Sequence, residues 1–128
     1  MIGRMAWSVL VVDDDPSFRD LASRILDEMG FEDITESEDT ASAVAQAELK
    51  RPQAALVDVG LPDGDGVELA RTLAALPWSP HVVLTSSDKD AATAITPRDG
   101  EPPVPFVAKE DLANGTLRGL LLGNADLG

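Results

Sequence analysis

Acidic side chains follow two apolar runs that have the composition of buried strands. Asp13 and Asp14 come directly after residues 8–12, and Asp58 ends the run 54–58. Such runs are typical of strands buried on both faces of a parallel sheet. Ligands bind at the carboxyl ends of such strands, so we expect the three acids at one sheet edge. Like charges this close require a cation or a proton, and an oxygen-only set suits Mg²⁺.

Two later apolar runs end in hydroxyls and in a cation. Residues 81–84 lead into Thr85, and residues 104–108 lead into Lys109. Acids, a hydroxyl and a lysine at one edge describe a phosphoryl-transfer site, where the protein positions groups and balances charge. Taken singly, Asp58 is equally well a turn residue and Lys109 a solvated lysine. His81, the only histidine, begins its run away from the acids, so we predict a structural or surface role for it.

Helical segments lie between these runs. Apolar residues recur at helical spacing from Phe18 to Met29, and Gly30 is expected to end that helix. We predict that Thr40 caps a second helix and Asp65 a third. Residues 31–36 fit a weak, partly exposed strand. The alternation of strands and helices predicts an α/β doubly wound sheet.

The segment between Thr85 and Phe106 is irregular. Residues 88–95 allow barely two helical turns, and residues 96–105 contain four prolines, which are incompatible with a helix interior. Beyond Lys109, leucines fit a last helix that Gly115 and Gly119 make short or frayed. Before the third helix, residues 63–66 have some features of a calcium loop, but an apolar residue stands where a ligand is needed.

Composition excludes several classes of function. With 10 Lys and Arg against 23 Asp and Glu, the net charge of −13 opposes binding to nucleic acid, and we expect no DNA binding. No apolar stretch approaches the roughly 20 residues of a membrane span, so we expect a cytoplasmic protein without membrane insertion. The absence of cysteine excludes disulfides and thiolate metal sites. A length of 128 residues suits one domain, residues 1–128, without an output domain.

The motifs VVDDDP (11–16), LVDVGLPDGDG (56–66), VVLTSS (82–87) and FVAK (106–109) occur in this order. Together the four motifs resemble the receiver domain of bacterial two-component response regulators, and the likeness spans nearly the whole chain. The resemblance implies a flavodoxin-like doubly wound parallel sheet of five strands in the order 2-1-3-4-5. It also implies about five helices, of which the fourth is shortened or irregular here, in the region 88–105.

The resemblance also implies a role for each site residue. Asp58 is the expected phosphoacceptor, and Asp13, Asp14, Asp58 and the backbone carbonyl of Gly60 are the expected Mg²⁺ ligands. The remaining roles fall on three residues: Thr85 and Lys109, which would contact the phosphoryl group, and Phe106, which would be the switch aromatic.

The function implied is that of a phosphoacceptor switch. A sensor histidine kinase would phosphorylate Asp58, and the phosphorylated protein would signal by contact with an unknown downstream protein. The oligomeric state stays open, a monomer included. One alternative is a degenerate receiver that acts as an adaptor without phosphorylation. The other is a Mg²⁺-dependent phosphohydrolase, but the position two residues beyond Asp58, which would need an acid or base, is Gly60. We therefore do not expect an enzyme.

Overall fold

The computed structural model describes residues 5–88, 91 and 104–123. In chain order, its elements are β1 (Met5–Val12), α1 (Pro16–Glu28), β2 (Phe31–Ser37), α2 (Thr40–Lys50), β3 (Ala54–Asp58), β4 (Gly60–Leu61), β5 (Gly64–Asp65), α3 (Gly66–Ala74), β6 (His81–Ser86), β7 (Phe106–Ala108), a 3-10 helix (Lys109–Asn114) and α4 (Thr116–Leu121). Five strands form one parallel sheet in the order β2-β1-β3-β6-β7, while β4 and β5 pair separately as a small antiparallel hairpin. Counted over the main sheet, this confirms the predicted order 2-1-3-4-5.

The core has two layers, one on each face of the main sheet. Because side chains alternate across a strand, successive residues of β1 and β3 serve opposite faces. Val9 and Val11 pack with α1 and α4, whereas Leu10 and Val12 pack with α2 and α3. Every residue of β3 is buried, as predicted for a strand covered on both sides. The sequence of strands and helices therefore produces the doubly wound architecture.

The helix boundaries follow from local capping. The Asp15 side chain caps α1, Pro16 occupies its first position, and Gly30 follows the helix with φ of 101°. The prediction that Thr40 caps α2 was wrong. Asp39 is the cap, because its carboxylate accepts from the Ser42 backbone N–H while the Ser42 hydroxyl faces the Asp39 N–H. Thr40 is the first helical residue instead.

Two other expectations concern the apolar stripe of α1 and the end of the chain. Leu21 is 45% exposed and lies outside the core, although Phe18, Ala22 and Leu26 are buried as expected. The last segment is indeed broken, since Gly115, with φ of 96°, separates the 3-10 helix from α4.

The predicted irregular fourth helix and proline-rich loop lie outside the described residues, apart from residues 88, 91, 104 and 105. Among the helices that the structure describes, none is both long and apolar enough to cross a membrane.

Candidate functional site

The alternation of side chains brings four polar residues to one edge and one face of the sheet. Every second side chain along a strand lies on the same face of the sheet. Asp13 therefore lies on the same face as Val9 and Val11 of β1, and Asp58, Thr85 and Lys109 lie on this same face at the ends of β3, β6 and β7. Asp58 lies directly beside Thr85 in the register of β3 and β6. All four residues therefore lie at the carboxyl edge, on the face that packs against α1 and α4.

Three carboxylates converge at this edge. Asp13, Asp14 and Asp58 each offer an oxygen, and these oxygens lie within 4.8 Å of one another. Asp13 and Asp58 are buried, whereas Asp14 is exposed, so the group opens to solvent on one side. A compact, oxygen-only donor set of this kind could hold Mg²⁺ and leave room for its waters.

Lys109 supplies the opposing charge. Its ammonium lies 2.7 Å from Asp13 Oδ2 and 3.5 Å from Asp58 Oδ1. Lysine is brought there because the 3-10 helix begins directly after β7. The edge thus has three acids and one cation among the described residues, which leaves an excess of negative charge.

The pKa values reflect this imbalance. Burial, followed by the charge of Asp13, raises the pKa of the Asp58 carboxyl, and Lys109 only partly opposes the rise. For Lys109, burial lowers the pKa, but the ion pairs with Asp13 and Asp58 outweigh it, so the pKa of the ammonium is raised. A cation placed among the carboxylates would relieve the mutual repulsion that disfavours the ionised form of Asp58.

The Thr85 hydroxyl is fully buried and has no hydrogen-bond partner among the described residues. A buried hydroxyl without a partner is costly, so its position beside Asp58 is informative. Phe106 lies one strand further out, next to Leu84, and is half-buried on the opposite face of the sheet.

The hairpin after Asp58 is tied to its surroundings at two points. The Asp63 carboxylate accepts hydrogen bonds from the backbone N–H groups of Thr40 and Ala41 and from the Thr40 hydroxyl, at 2.8 to 3.2 Å. At Gly66, a Cβ atom would come within 1.9 Å of the Asp58 carbonyl oxygen. The Gly60 carbonyl is carried by this anchored hairpin.

Sequence reasoning missed two residues that touch the site. The Arg19 guanidinium donates to the Asp13 carbonyl oxygen at 2.6 Å and pairs with Glu36 at 3.2 Å. Phe18 places its ring beneath the Lys109 ammonium, 4.1 Å from the ring centroid. Both lie in the first turn of α1, whose periodicity indicated only that Phe18 belonged to the core.

The sequence matches the family described as response regulator receiver domain over residues 9–100. The chain belongs to the response regulator receiver family. A relative of this receiver, the transcriptional regulatory protein TrcR of Mycobacterium tuberculosis, is 32% identical over 123 residues, which are 93% of this chain and 47% of that protein. A protein-glutamate methylesterase/protein-glutamine glutaminase of Anaeromyxobacter dehalogenans is 40% identical over 86 residues, 66% of this chain but 25% of its own length.

Solved structures agree on the fold. A receiver domain (CheY-like) from Methylobacillus flagellatus superposes with a TM-score of 0.73 at 22% identity and covers 89% of this chain and 98% of that one. The chain therefore has the flavodoxin-like architecture of receivers, as predicted. It spans a quarter to a half of the length of the two curated relatives above. Receiver domains of two-component response regulators are signalling modules, and the methylesterase match covers only a minor part of that enzyme.

Proposed function

We propose that this receiver is a phosphoacceptor switch and that Asp58 is the phosphorylated residue. The observation that carries the proposal is the pairing of a buried carboxylate with a lysine ammonium 3.5 Å away and an unpartnered threonine hydroxyl on the adjoining strand. The phosphoryl donor is a phosphohistidine of a sensor kinase or a small acyl phosphate.

In the proposed step, an Asp58 carboxylate oxygen forms a bond to phosphorus. The bond from phosphorus to the donor nitrogen or oxygen breaks, and the leaving group keeps that electron pair. Bound Mg²⁺, held by Asp13, Asp14, Asp58 and the Gly60 carbonyl, would neutralise the acids and hold the phosphoryl oxygens. Lys109 shifts from the carboxylates to the new phosphoryl oxygens as a compact positive charge.

The switch is proposed to depend on Thr85. Its hydroxyl lacks a partner before transfer and would donate to a phosphoryl oxygen afterwards. Phosphorylation would therefore stabilise the conformer in which Thr85 is turned toward Asp58 more than it stabilises any other conformer. Phe106 packs with Leu84 and its neighbours on the opposite face of the sheet. We propose that Phe106 is the switch aromatic, which transmits the change at Thr85 to a partner protein. We propose that residues 1–128 act as one receiver unit that signals by protein contacts and not by binding DNA.

Intact-mass measurement after incubation with Mg²⁺ and a small acyl phosphate tests the proposal. We expect one added phosphoryl group that requires Mg²⁺ and disappears in Asp58→Asn. Asp33→Asn is the matched control, because Asp33 is an exposed carboxylate on β2. Addition that persists in Asp58→Asn would place the acceptor elsewhere. A folded protein that gains no mass would favour the phosphorylation-independent adaptor, and continuous release of phosphate would favour the phosphohydrolase.

A further inference from the structure

Phe18 contacts the lysine of the site through the face of its ring. The Lys109 ammonium lies 4.1 Å from the centroid of the Phe18 ring, within the range of a cation–π interaction. Its other neighbours are the carboxylates of Asp13 and Asp58. The ammonium is therefore held between two anions and one aromatic face, with 19% of the lysine side chain exposed.

The aromatic contact matters because of where α1 begins. Phe18 lies in the first turn of α1, at the end of the helix where the positive pole of its dipole lies. A cation near that end is disfavoured unless other groups compensate. Before phosphorylation, the carboxylates of Asp13 and Asp58 provide that compensation.

The interactions of the Lys109 ammonium change once Mg²⁺ and the phosphoryl group are bound. In the proposed function, the carboxylates would be engaged with Mg²⁺ and with the incoming phosphoryl group, so they would hold the lysine less strongly. Of the three groups described around the ammonium, the Phe18 ring is the one that binds neither metal nor phosphate. Phe18 is itself 8% exposed and packed in the core, so its ring is a fixed platform.

We propose that Phe18 is a positioning residue that holds the Lys109 ammonium through the face of its ring while Asp58 is phosphorylated. The inference rests on the proposed function of Asp58 and adds a residue to it. Without the aromatic attraction, the flexible lysine would spend more time in solvent and less time at the position of the phosphoryl oxygens. A purely structural role for Phe18 would depend on the size of the ring and not on its electrons.

The test replaces Phe18 with mono-, di- and trifluorinated phenylalanine, which keep the shape of the ring while weakening the negative potential of its face. We expect the rate of phosphorylation by a small acyl phosphate to fall with each fluorine, by about two- to fivefold over the series. The free energy of unfolding should not follow the same order. Phe18→Leu, which is apolar but has no ring face, should resemble the trifluorinated protein.

A second series in the Lys109→Gln background decides the mechanism. There the rate is lower throughout, and fluorination should no longer change it, because the cation is gone. Equal rates across the first series, or a decline that persists in the Lys109→Gln background or parallels a loss of stability, would overturn the role of Phe18. Wild-type protein that accepts no phosphoryl group would instead overturn the function of Asp58. The two failures are therefore distinguishable.

Discussion

At the scale of single residues, the acidic edge is a compromise between folding and chemistry. Asp13 and Asp58 are buried side by side, and Lys109 neutralises only part of their charge. Partly compensated carboxylates raise the free energy of the folded state, and such sites are common where a ligand brings the missing charge. The cost disappears when a cation binds, so the same repulsion that weakens the apoprotein favours loading of the site.

Replacing Asp58 with asparagine should stabilise the metal-free protein at neutral pH. The folded-state pKa of Asp58 is raised above its unfolded value, so its contribution to stability is present at low pH and is lost as the pH rises through the folded pKa. Asparagine has no charge to bury. Urea unfolding with chelator should show a higher free energy of unfolding for Asp58→Asn at pH 7, with the advantage shrinking toward pH 4.

An equal difference at both pH values would contradict this account, because a packing effect does not titrate. Asp33→Asn on the exposed side of β2 provides the comparison for loss of one surface charge. Its effect should be smaller than that of Asp58→Asn at pH 7, where solvent screens an exposed group.

At the scale of elements, the site depends on how closely α3 approaches the end of β3. A Cβ atom on Gly66 would meet the carbonyl oxygen of Asp58 at 1.9 Å and the Val59 backbone at 2.8 Å. Backbone atoms cannot swing aside as side chains do. Gly60, the first residue of β4, has nothing within 4 Å of the corresponding position.

Gly66→Ala and Gly60→Ala therefore form a matched pair. We expect Gly66→Ala to lower the free energy of unfolding by about 3 kcal/mol, at the upper end of overpacking effects, and to slow phosphorylation by displacing Asp58. Gly60→Ala should change stability by less than about 0.5 kcal/mol. Chemical denaturation of the two variants measures the difference, and similar values for both would mean that α3 can shift away from β3 without cost.

The contact between the hairpin and α2 should show a pH dependence of opposite sign. Hydrogen bonds from the Thr40 backbone and hydroxyl, with that of Ala41, lower the pKa of Asp63. Its stabilising contribution is therefore present above the unfolded pKa and is lost as the pH falls through the folded value. Asp63→Ala should unfold at lower urea concentration than wild type at pH 7, and the two midpoints should converge in acid. Wild-type behaviour of Asp63→Ala at pH 7 would show that α2 does not need this contact.

The elements that sequence predicts well are those governed by local chemistry. The apolar runs ending in Asp13, Asp58, Thr85 and Lys109 indicated the strands, and their alternation explains why these residues share a face. The capping of α3 by Asp65 was also readable, because an N-cap acts on its own helix.

What sequence could not show are contacts between distant segments. Asp63 binds the first turn of α2, which lies 23 residues earlier, and Phe18 meets Lys109 from the far end of the chain. Nor does periodicity distinguish Asp39 from Thr40 as the cap of α2, since both residue types cap helices well. Leu21 continued the apolar spacing of α1 but lies beyond the edge of the sheet-facing stripe.

At the scale of the whole molecule, the net charge of the protein and the binding of Mg²⁺ both act on the folding equilibrium. A net charge of −13 on 128 residues produces general self-repulsion, which monovalent salt screens. The acidic edge adds a local repulsion, which we propose that one divalent ion relieves. The two effects can be separated, because the first depends on ionic strength and the second on occupancy of one site.

Thermal or urea unfolding in NaCl and in MgCl₂ at equal ionic strength should therefore differ. We expect Mg²⁺ to add stability beyond that of NaCl, by about 2.7 kcal/mol when the free ion is at 100 times its dissociation constant. Asp14→Asn should remove this increment while keeping the response to NaCl, since Asp14 is the exposed member of the acidic group and its loss leaves the core intact. No increment beyond NaCl in wild type would mean that the ion acts only through general screening. An increment of the same size in Asp14→Asn would mean that Mg²⁺ binds without Asp14 and would contradict the proposed set of ligands.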